Sequence, residues 1–180
     1  MDSLFELWRY AEGLKVEDRK GWKKLGLRDV ESVADHSFAL ALLTLVEAER
    51  RKYNVEDAVK IALIHDLEEA ITGDLTPDDK KTRGFARVRA AKQEAVRELL
   101  MTLPQKSRRS YRRLWTDLRL LRTREARLVH ELDKLEMVFQ AKAYEKKVGR
   151  EKVTDFYRSA CREIRDVRIG RVLNLLTHGG

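Results

Sequence analysis

The chain is poor in several residue types that would point to particular classes of protein. Its 180 residues include one cysteine, Cys161, and two prolines, Pro77 and Pro104. A single thiol excludes an internal disulfide and a zinc site built from several cysteines, and it fits a reducing cytoplasm. No apolar run approaches the roughly 20 residues that span a bilayer, and the first residues lack the pattern of a signal peptide. We therefore expect a soluble cytoplasmic protein with no membrane partner.

Uncharged amides are also rare, whereas charged residues make up 38% of the chain. Many lysines, arginines and glutamates with few thermolabile amides are typical of proteins from hot environments. The net charge of +8 favours an anionic ligand, such as a nucleotide or a nucleic acid. A solvated basic surface explains that charge equally well. The basic run at residues 106–113 has no nucleic-acid-binding motif beside it, so we do not expect nucleic acid as a partner.

No segment shows the alternation of apolar and polar residues that strands require, and a 3.6-residue period recurs along the chain. The sequence therefore predicts one all-α domain over residues 1–180, in which hydrophobic residues, 43% of the total, form the core. Helices are expected at about residues 3–14, 34–51, 55–71, 85–103, 105–121, 124–147 and, in one or two pieces, 150–177. In the second of these, the apolar residues Phe38, Leu42, Leu45 and Val46 are expected to face the core.

The third expected helix carries an unusual pair of side chains. Its apolar run from Ile61 continues into His65 and Asp66 before reaching Ile71. Burying charged groups costs several kcal/mol each unless they are paired or bind a metal. A divalent cation is the simplest explanation for this pair.

Two further residues complete a set of metal ligands. His36 begins the second expected helix and Asp133 lies within a later one, so three helices would supply His36, His65, Asp66 and Asp133. Two imidazoles and two carboxylates suit Mn, Co, Zn, Fe or Ni better than Ca or Mg alone. Four protein ligands would leave room for a water molecule, which would be the nucleophile.

The order of these four ligands resembles the H…HD…D signature of the HD-domain superfamily of metal-dependent phosphohydrolases. The flanking segments, residues 31–36, 65–69, 72–75 and 130–137, resemble its 5′-deoxynucleotidase branch, and the resemblance extends from Phe5 to Tyr157. It implies a compact helical bundle with the helices of residues 150–177 packed on it, usually as a homodimer. It also implies a divalent ion (Mn, Co, Zn, Ni, Fe or Mg) and the hydrolysis of deoxyribonucleoside 5′-monophosphates to deoxynucleosides and phosphate.

The same resemblance implies roles for residues around the metal ligands. Glu69 would position or activate the attacking water, although Glu68 is also within reach of His65. Asp74 would lie near the sugar and the scissile phosphate. Trp22 would pack on the sugar and help to reject a ribose 2′-hydroxyl; alternatively, it fills the core.

The chain departs from the family pattern at two places. Gly21 stands where bacterial members of the family carry a phosphate-binding arginine, so Lys20 and Lys23 are the expected phosphate contacts, with Lys24 as an alternative. After Leu114-Trp115, where many relatives carry glutamates, residues 116–119 include one acid. The preference for deoxyribose and the mode of phosphate binding therefore stay open.

The same residues are compatible with other functions. The substrate could be another nucleotide, such as a nucleoside triphosphate or a cyclic nucleotide. A protein that binds nucleotides or RNA without catalysis would use the same basic surface. His130 could be an auxiliary ligand or a surface residue, and Glu136 is expected to form an ion pair or to support Asp133.

Overall fold

The computed structural model describes residues 3–178, and these residues form eleven helices and no strand, which confirms the predicted all-α fold. The helices are α1 (Ser3–Val16), α2 (Lys20–Lys23), α3 (Val33–Arg51), α4 (Val55–Ile64), α5 (Glu69–Thr72), α6 (Pro77–Arg83), α7 (Phe85–Thr102), α8 (Gln105–Leu120), α9 (Arg124–Val148), α10 (Arg150–Glu163) and α11 (Val167–His178). None of these helices is both long and apolar enough to cross a membrane.

The long helix α9 lies at the centre of the bundle. It begins at Thr123, whose hydroxyl accepts a hydrogen bond from the Ala126 N–H at 3.1 Å. Helices α3, α4, α8, α10 and α11 all pack on α9. The buried residues of its middle section include Leu132, Leu135, Val138 and Ala141. Asp133 lies in this section, so the fold places its carboxylate in the interior of the bundle.

Helix α3 is held at its start by a capping box. The Ser32 hydroxyl accepts from the Asp35 N–H at 3.1 Å, and the Asp35 carboxylate accepts from the Ser32 N–H at 2.9 Å. These bonds satisfy two N–H groups that the helix leaves free and fix the direction in which the helix starts. His36 therefore occupies the first turn of α3, where its side chain is fully buried.

The predicted core face of α3 was wrong. Phe38, Leu42, Leu45 and Val46 are 72%, 54%, 38% and 58% exposed. The stripe that is buried instead consists of Val33, His36, Ser37, Leu40, Thr44 and Ala48. This stripe also has helical spacing, and its small and polar members allow α3 to lie close to its neighbours. Periodicity located the helix but could not choose between its two faces.

The predicted continuous helix to about Ile71 is interrupted, because α4 and α5 are separated by a turn at residues 65–68. Within this turn the N–H groups of Leu67 and Glu69 bond to carbonyls three residues back, at 3.2 and 2.9 Å. The His65 ring bonds to the Ala62 carbonyl at 2.7 Å, a carbonyl that residue 66 would use in a continuous α-helix. A tightened turn of this kind is common where a helix meets a functional site.

The remaining helices follow the predictions closely, with two additions, the short helices α2 and α6. Helices α7 to α9 begin and end within one or two residues of their expected limits, and α10 and α11 form the closing pair. Helix α6 was not among the helices expected from the sequence. Thr76 and Asp79 form a capping box, and Pro77 occupies the first helical position. These are ordinary signals for a helix start that the sequence contained.

Candidate metal centre

Four side chains from three parts of the fold meet beside α9. His36 comes from α3, His65 and Asp66 from the turn after α4, and Asp133 from α9. His36 Nε2 lies 3.2 Å from His65 Nε2 and 3.2 Å from Asp133 Oδ1, and His65 Nε2 lies 3.0 Å from Asp66 Oδ2. The ligand atoms of His36, His65 and Asp66 all lie within 4.8 Å of one another. Two neighbouring ligands about 2.1 Å from one ion are about 3 to 3.4 Å apart, so this set fits a divalent metal.

The second nitrogen of each imidazole is occupied by a hydrogen bond directed away from this cluster. His36 Nδ1 donates to Glu136 Oε2 at 2.5 Å, and His65 Nδ1 donates to the Ala62 carbonyl at 2.7 Å. Such bonds fix the tautomer and leave the Nε2 lone pairs free for a metal. Glu136 was expected to interact with Asp133 or in an ion pair, and its contact with His36 was missed. One helical turn separates residues 133 and 136, and that spacing was the signal available in the sequence.

The two aspartates are held in the ionised form that metal binding requires. Burial raises the pKa of Asp66, but His65 and Arg19 outweigh this and hold it well below its usual range. Burial likewise acts to raise the pKa of Asp133, but the neighbouring Lys134, whose Nζ lies 2.9 Å from Asp133 Oδ2, helps to hold it far below the usual value. Both side chains are therefore charged at neutral pH.

A buried pair of glutamates lies next to the aspartates and shares one lysine. Lys92 Nζ, from α7, donates to Glu69 Oε1 at 2.8 Å and to Glu68 Oε1 at 3.0 Å. The Oε2 atom of each glutamate is buried and has no hydrogen-bond partner among the described residues. Burial and the charge of Asp66 raise the pKa of Glu69 to about 8, and burial also raises the pKa of Glu68. Each carboxyl group therefore has an oxygen available for a proton, a water molecule or a substrate atom.

Asp74 and the two lysines expected at the phosphate are bound to one another or to nearby acids. The Lys20 N–H donates to Asp74 Oδ2 at 2.6 Å, and Lys20 Nζ donates to the Asp74 carbonyl at 2.8 Å. Lys20 Nζ also lies 3.1 Å from Glu17, and Lys23 pairs with Asp18. Asp74 thus ties the first residue of α2 to the turn after α5, and neither lysine is a free cation.

Trp22 occupies the core, which corrects the expectation that it packs on a sugar. Its side chain is 1% exposed, stacked on Phe156 at 4.2 Å between ring centroids and set edge-on to Tyr144 at 5.4 Å. Its indole N–H donates to Glu31 Oε1 at 2.7 Å. With so little accessible surface the ring offers no face to a sugar, so the structure supports the alternative that Trp22 fills the core.

Arg19 reaches the cluster and was missed. Its Nη1 lies 3.4 Å from Asp66 Oδ2 and its Nε lies 4.0 Å from Glu31 Oε1. The backbone around it is fixed to the segment before α3, because the Arg19 N–H donates to the Glu31 carbonyl at 3.1 Å. Arg19 lies only two residues before Gly21, and this proximity was the signal available in the sequence. A guanidinium in this place can bind a phosphate through two hydrogen bonds.

The cluster opens into a cavity of about 480 Å³. Its wall includes His65, Asp66 and Asp133 together with the apolar side chains of Leu118, Leu121 and Val129. His130 also lies in the wall, and its Nε2 is 3.2 Å from a carboxylate oxygen of Glu163. The volume lies within the range of small-molecule sites, which is about 300–1,000 Å³.

Comparisons with known proteins agree on one family. The family model of the HD domain matches residues 11–170. The human protein named 5′-deoxynucleotidase HDDC2 is 34% identical over 160 residues, covering 87% of this chain and 76% of that protein. The protein of the same name from Dictyostelium discoideum is 32% identical over 153 residues, covering 81% and 80%. A crystal structure of a Pyrococcus horikoshii protein superposes with a TM-score of 0.79 at 28% identity, covering 96% of this chain and 98% of the other. The chain belongs to the HD domain family.

Proposed function

We propose that the protein is a metal-dependent 5′-deoxynucleotidase, which converts deoxyribonucleoside 5′-monophosphates to deoxynucleosides and phosphate. The observation that carries the proposal is the meeting of His36, His65 and Asp66 within 4.8 Å, beside Arg19 and the buried Glu69. Relatives that are 30 to 34% identical over most of this chain bear the name of that activity.

His36, His65, Asp66 and Asp133 would hold the divalent ion. When bound, such an ion lowers the pKa of a water molecule and offsets the charge of the phosphate. The mixed nitrogen and oxygen ligands favour Mn, Co, Zn, Fe or Ni, with Mg as a further candidate. Glu136 would support this set by orienting the His36 ring.

The side chains around the ligands would bind and orient the substrate. The guanidinium of Arg19 would contact two phosphate oxygens and so serve where Gly21 cannot, with Lys20 and Lys23 adding only longer-range charge. Asp74 Oδ2 already accepts from Lys20, so a substrate contact by Asp74 would use its other carboxylate oxygen.

Glu69 would move the protons of the reaction. Its free Oε2 would orient the attacking water and accept its proton while the bond between phosphorus and the 5′-oxygen breaks. The same carboxyl group would then donate a proton to the 5′-oxygen of the leaving deoxynucleoside. The ion pair with Lys92 holds the other oxygen, Oε1, in place during both transfers.

The protein would act as a homodimer. Helix α3 presents Phe38, Leu42, Leu45 and Val46 to solvent on successive turns, which is the spacing of an apolar helix face. Two such faces from identical chains can pack against each other about a two-fold axis.

The exposed free thiol of Cys161 fits a reducing compartment such as the cytoplasm.

The contacts of the basic run at residues 106–113 favour this function over nucleic-acid binding. The Arg108 guanidinium donates to the Leu103 and Met101 carbonyls, at 2.9 and 2.8 Å. Arg113 binds both carboxylate oxygens of Asp57, at 3.0 and 2.9 Å. These two arginines therefore stabilise connections between helices and are less available to a phosphate backbone.

The test is phosphate release from a panel of ribonucleotides and deoxyribonucleotides, with Mn, Co, Ni, Zn, Fe or Mg added in turn to the metal-stripped protein. We expect release from deoxyribonucleoside 5′-monophosphates with at least one metal and loss of both bound metal and activity in His65→Ala. Activity that persists without any metal, or no release from any nucleotide together with measurable RNA binding, would contradict the proposal.

A further inference from the structure

The two carboxylate oxygens of Asp133 face different groups. Asp133 Oδ1 lies 3.2 Å from His36 Nε2, within the set of expected metal ligands. Asp133 Oδ2 accepts a hydrogen bond at 2.9 Å from Nζ of Lys134, the next residue of α9. One oxygen of this ligand is therefore directed to the metal centre, and the other is held by a cation.

Lys134 has Asp133 as its acidic partner and is held in a fixed part of the helix. Among residues 3–178, no other carboxylate lies within 4.0 Å of Lys134 Nζ, and the side chain is 23% exposed. Its neighbours Leu132 and Leu135 are buried in the bundle, so the backbone at this point is fixed by packing. The described residues that line the cavity include Lys92 but not Lys134. Lys134 therefore reaches the site through Asp133 rather than through a surface offered to the substrate.

Asp66 lacks such a restriction. Its contacts with His65 Nε2, at 3.0 Å, and with Arg19 Nη1, at 3.4 Å, both use Oδ2. No hydrogen bond or ion pair within the described part of the chain uses Asp66 Oδ1. A carboxylate can bind a metal through one oxygen or through both. The second oxygen is thus available at Asp66 and occupied at Asp133.

We propose that Lys134 is a positioning residue, which restricts Asp133 to one metal-binding oxygen and so keeps space at the ion for the substrate phosphate. This inference rests on the proposed function, from which it takes the ion and the substrate. A catalytic metal site needs positions that the protein does not fill. The charge-assisted hydrogen bond from Lys134 competes for Oδ2 and so opposes binding of the ion by both oxygens.

The variant Lys134→Met tests the restriction, because it keeps an unbranched side chain and removes the charge. With Oδ2 released, we expect the visible absorption of Co²⁺ bound to the protein to weaken, since Co²⁺ absorbs less when more ligands surround it. The affinity for Co²⁺ should equal or exceed that of the wild type, because a cation near the site is lost. The kcat for phosphate release from deoxyadenosine 5′-monophosphate should fall about 10- to 100-fold.

Two further variants are controls. Lys134→Arg keeps a cation beside Asp133 and should restore the wild-type spectrum and most of kcat. Lys142→Met is the matched control, because it makes the same substitution about 12 Å further along α9. Lys142 pairs with Glu145 of the same helix at 3.1 Å. Its loss should leave the spectrum unchanged, and Co²⁺ affinity and kcat within about twofold of the wild type.

Thermal unfolding shows whether each variant is folded. If Lys134→Met does not fold, Lys134→Gln, which is also uncharged, is measured in its place with the same expectations. The spectrum and the Co²⁺ affinity are measured without substrate. They therefore decide on Lys134 even if the wild type hydrolyses no deoxynucleotide and the proposed function fails.

Three outcomes would overturn this role. The first is an unchanged spectrum in Lys134→Met, and a raised KM would then make Lys134 a phosphate contact. The second is a loss of Co²⁺ affinity of about 10-fold or more in Lys134→Met, which would make Lys134 a support for metal binding, like Glu136. The third is an equal change of spectrum in Lys142→Met.

Discussion

At the scale of single residues, the centre depends on contacts that orient its ligands. The buried carboxylate of Glu136 accepts from His36 Nδ1 at 2.5 Å, and the pair lies in a part of the core where neither group has access to bulk water. Without Glu136 the His36 ring could rotate or adopt the other tautomer, and its Nε2 would no longer be directed at the site.

Replacement of Glu136 should therefore weaken metal binding, although Glu136 acts on the metal only through the His36 ring. We expect Glu136→Ala to lower metal affinity by about 10- to 100-fold. Glu136→Gln, which keeps a hydrogen-bond acceptor, should retain more affinity than Glu136→Ala. Metal titration against a chelator measures both, and wild-type affinity in Glu136→Ala would show that His36 needs no support.

Glu68 and Glu69 provide a matched pair for locating the proton-transfer group. They share Lys92, both are buried, and each has one oxygen without a partner. We expect Glu69→Gln to lower kcat by about 100-fold or more at unchanged metal content, which is the usual contribution of a general acid or base. Glu68→Gln should lower kcat by less than about 10-fold.

The two glutamine variants are compared by kcat at saturating metal and substrate. The reverse order, with Glu68→Gln the more damaging, would transfer the role to Glu68, an assignment that the sequence had left open. A loss of bound metal in Glu69→Gln would instead place Glu69 among the ligands.

At the scale of secondary structure elements, the exposed face of α3 bears on dimer formation, and the start of α11 bears on stability. The face of α3 leaves four large apolar side chains in solvent, whereas its buried stripe contains smaller and polar residues. The start of α11 is held by Asp166, which accepts from the Ile169 N–H at 3.0 Å and binds Arg51 at 2.6 and 2.8 Å. Arg51 is the last residue of α3, so this contact joins two elements distant in sequence.

A charge on the exposed face of α3 should prevent dimer formation. Leu42→Glu places a carboxylate in the middle of the proposed interface, where its burial against a second copy would cost several kcal/mol. We expect a monomer by light scattering after size exclusion, against a dimer for the wild type. Leu175→Glu, at another exposed leucine 72% accessible on α11, is the control and should remain dimeric. A monomeric wild type would refute the homodimer.

The stabilisation that Asp166 gives to the folded protein should be lost in acid. Its hydrogen bonds and ion pair with Arg51 hold the pKa of its carboxyl below the ordinary value of about 3.9. A carboxyl whose pKa is lower in the folded state stabilises the protein above its unfolded pKa. This stabilisation is lost as the pH falls below about 4 toward the folded pKa.

Asp166→Ala removes the cap and the ion pair together and should cost about 1–3 kcal/mol at pH 7. The difference in unfolding free energy between variant and wild type should shrink as the pH is lowered from about 5 to 2. Denaturant titrations at several pH values measure it. A difference that does not change with pH would assign the whole effect to the cap rather than to charge.

At the scale of the whole molecule, charged residues form many contacts between helices as well as within them. Arg51 with Asp166 joins α3 to the segment before α11, and Arg113 with Asp57 joins α8 to α4. Networks of this kind gain importance at high temperature because the cost of removing charges from water falls. We expect thermal unfolding above the range of about 45–65 °C that is usual for mesophilic domains. A midpoint within that range, measured by calorimetry, would contradict the inference of a hot source.

Much of the fold and part of the candidate site could be predicted from the sequence. The 3.6-residue period located the long helices, because burial of one face is a local property of each segment. The N-caps Thr123 and Asn54 are local features of the same kind, since a cap acts within three residues. The types of side chain at His36, His65, Asp66 and Asp133 predicted metal chemistry, because charged groups in apolar surroundings require a partner.

The tertiary structure decided what depends on residues distant in sequence. Only the packing of α3 determines which of its two stripes is buried, and only the fold brings Glu136 to His36 and Arg19 to Asp66. The break after α4 follows from a side-chain bond to the backbone that periodicity does not reveal. The sequence by itself thus determined the helices and the chemical character of the centre. The three-dimensional packing decided which faces are exposed and which charges remain unpaired, because these depend on distances between helices.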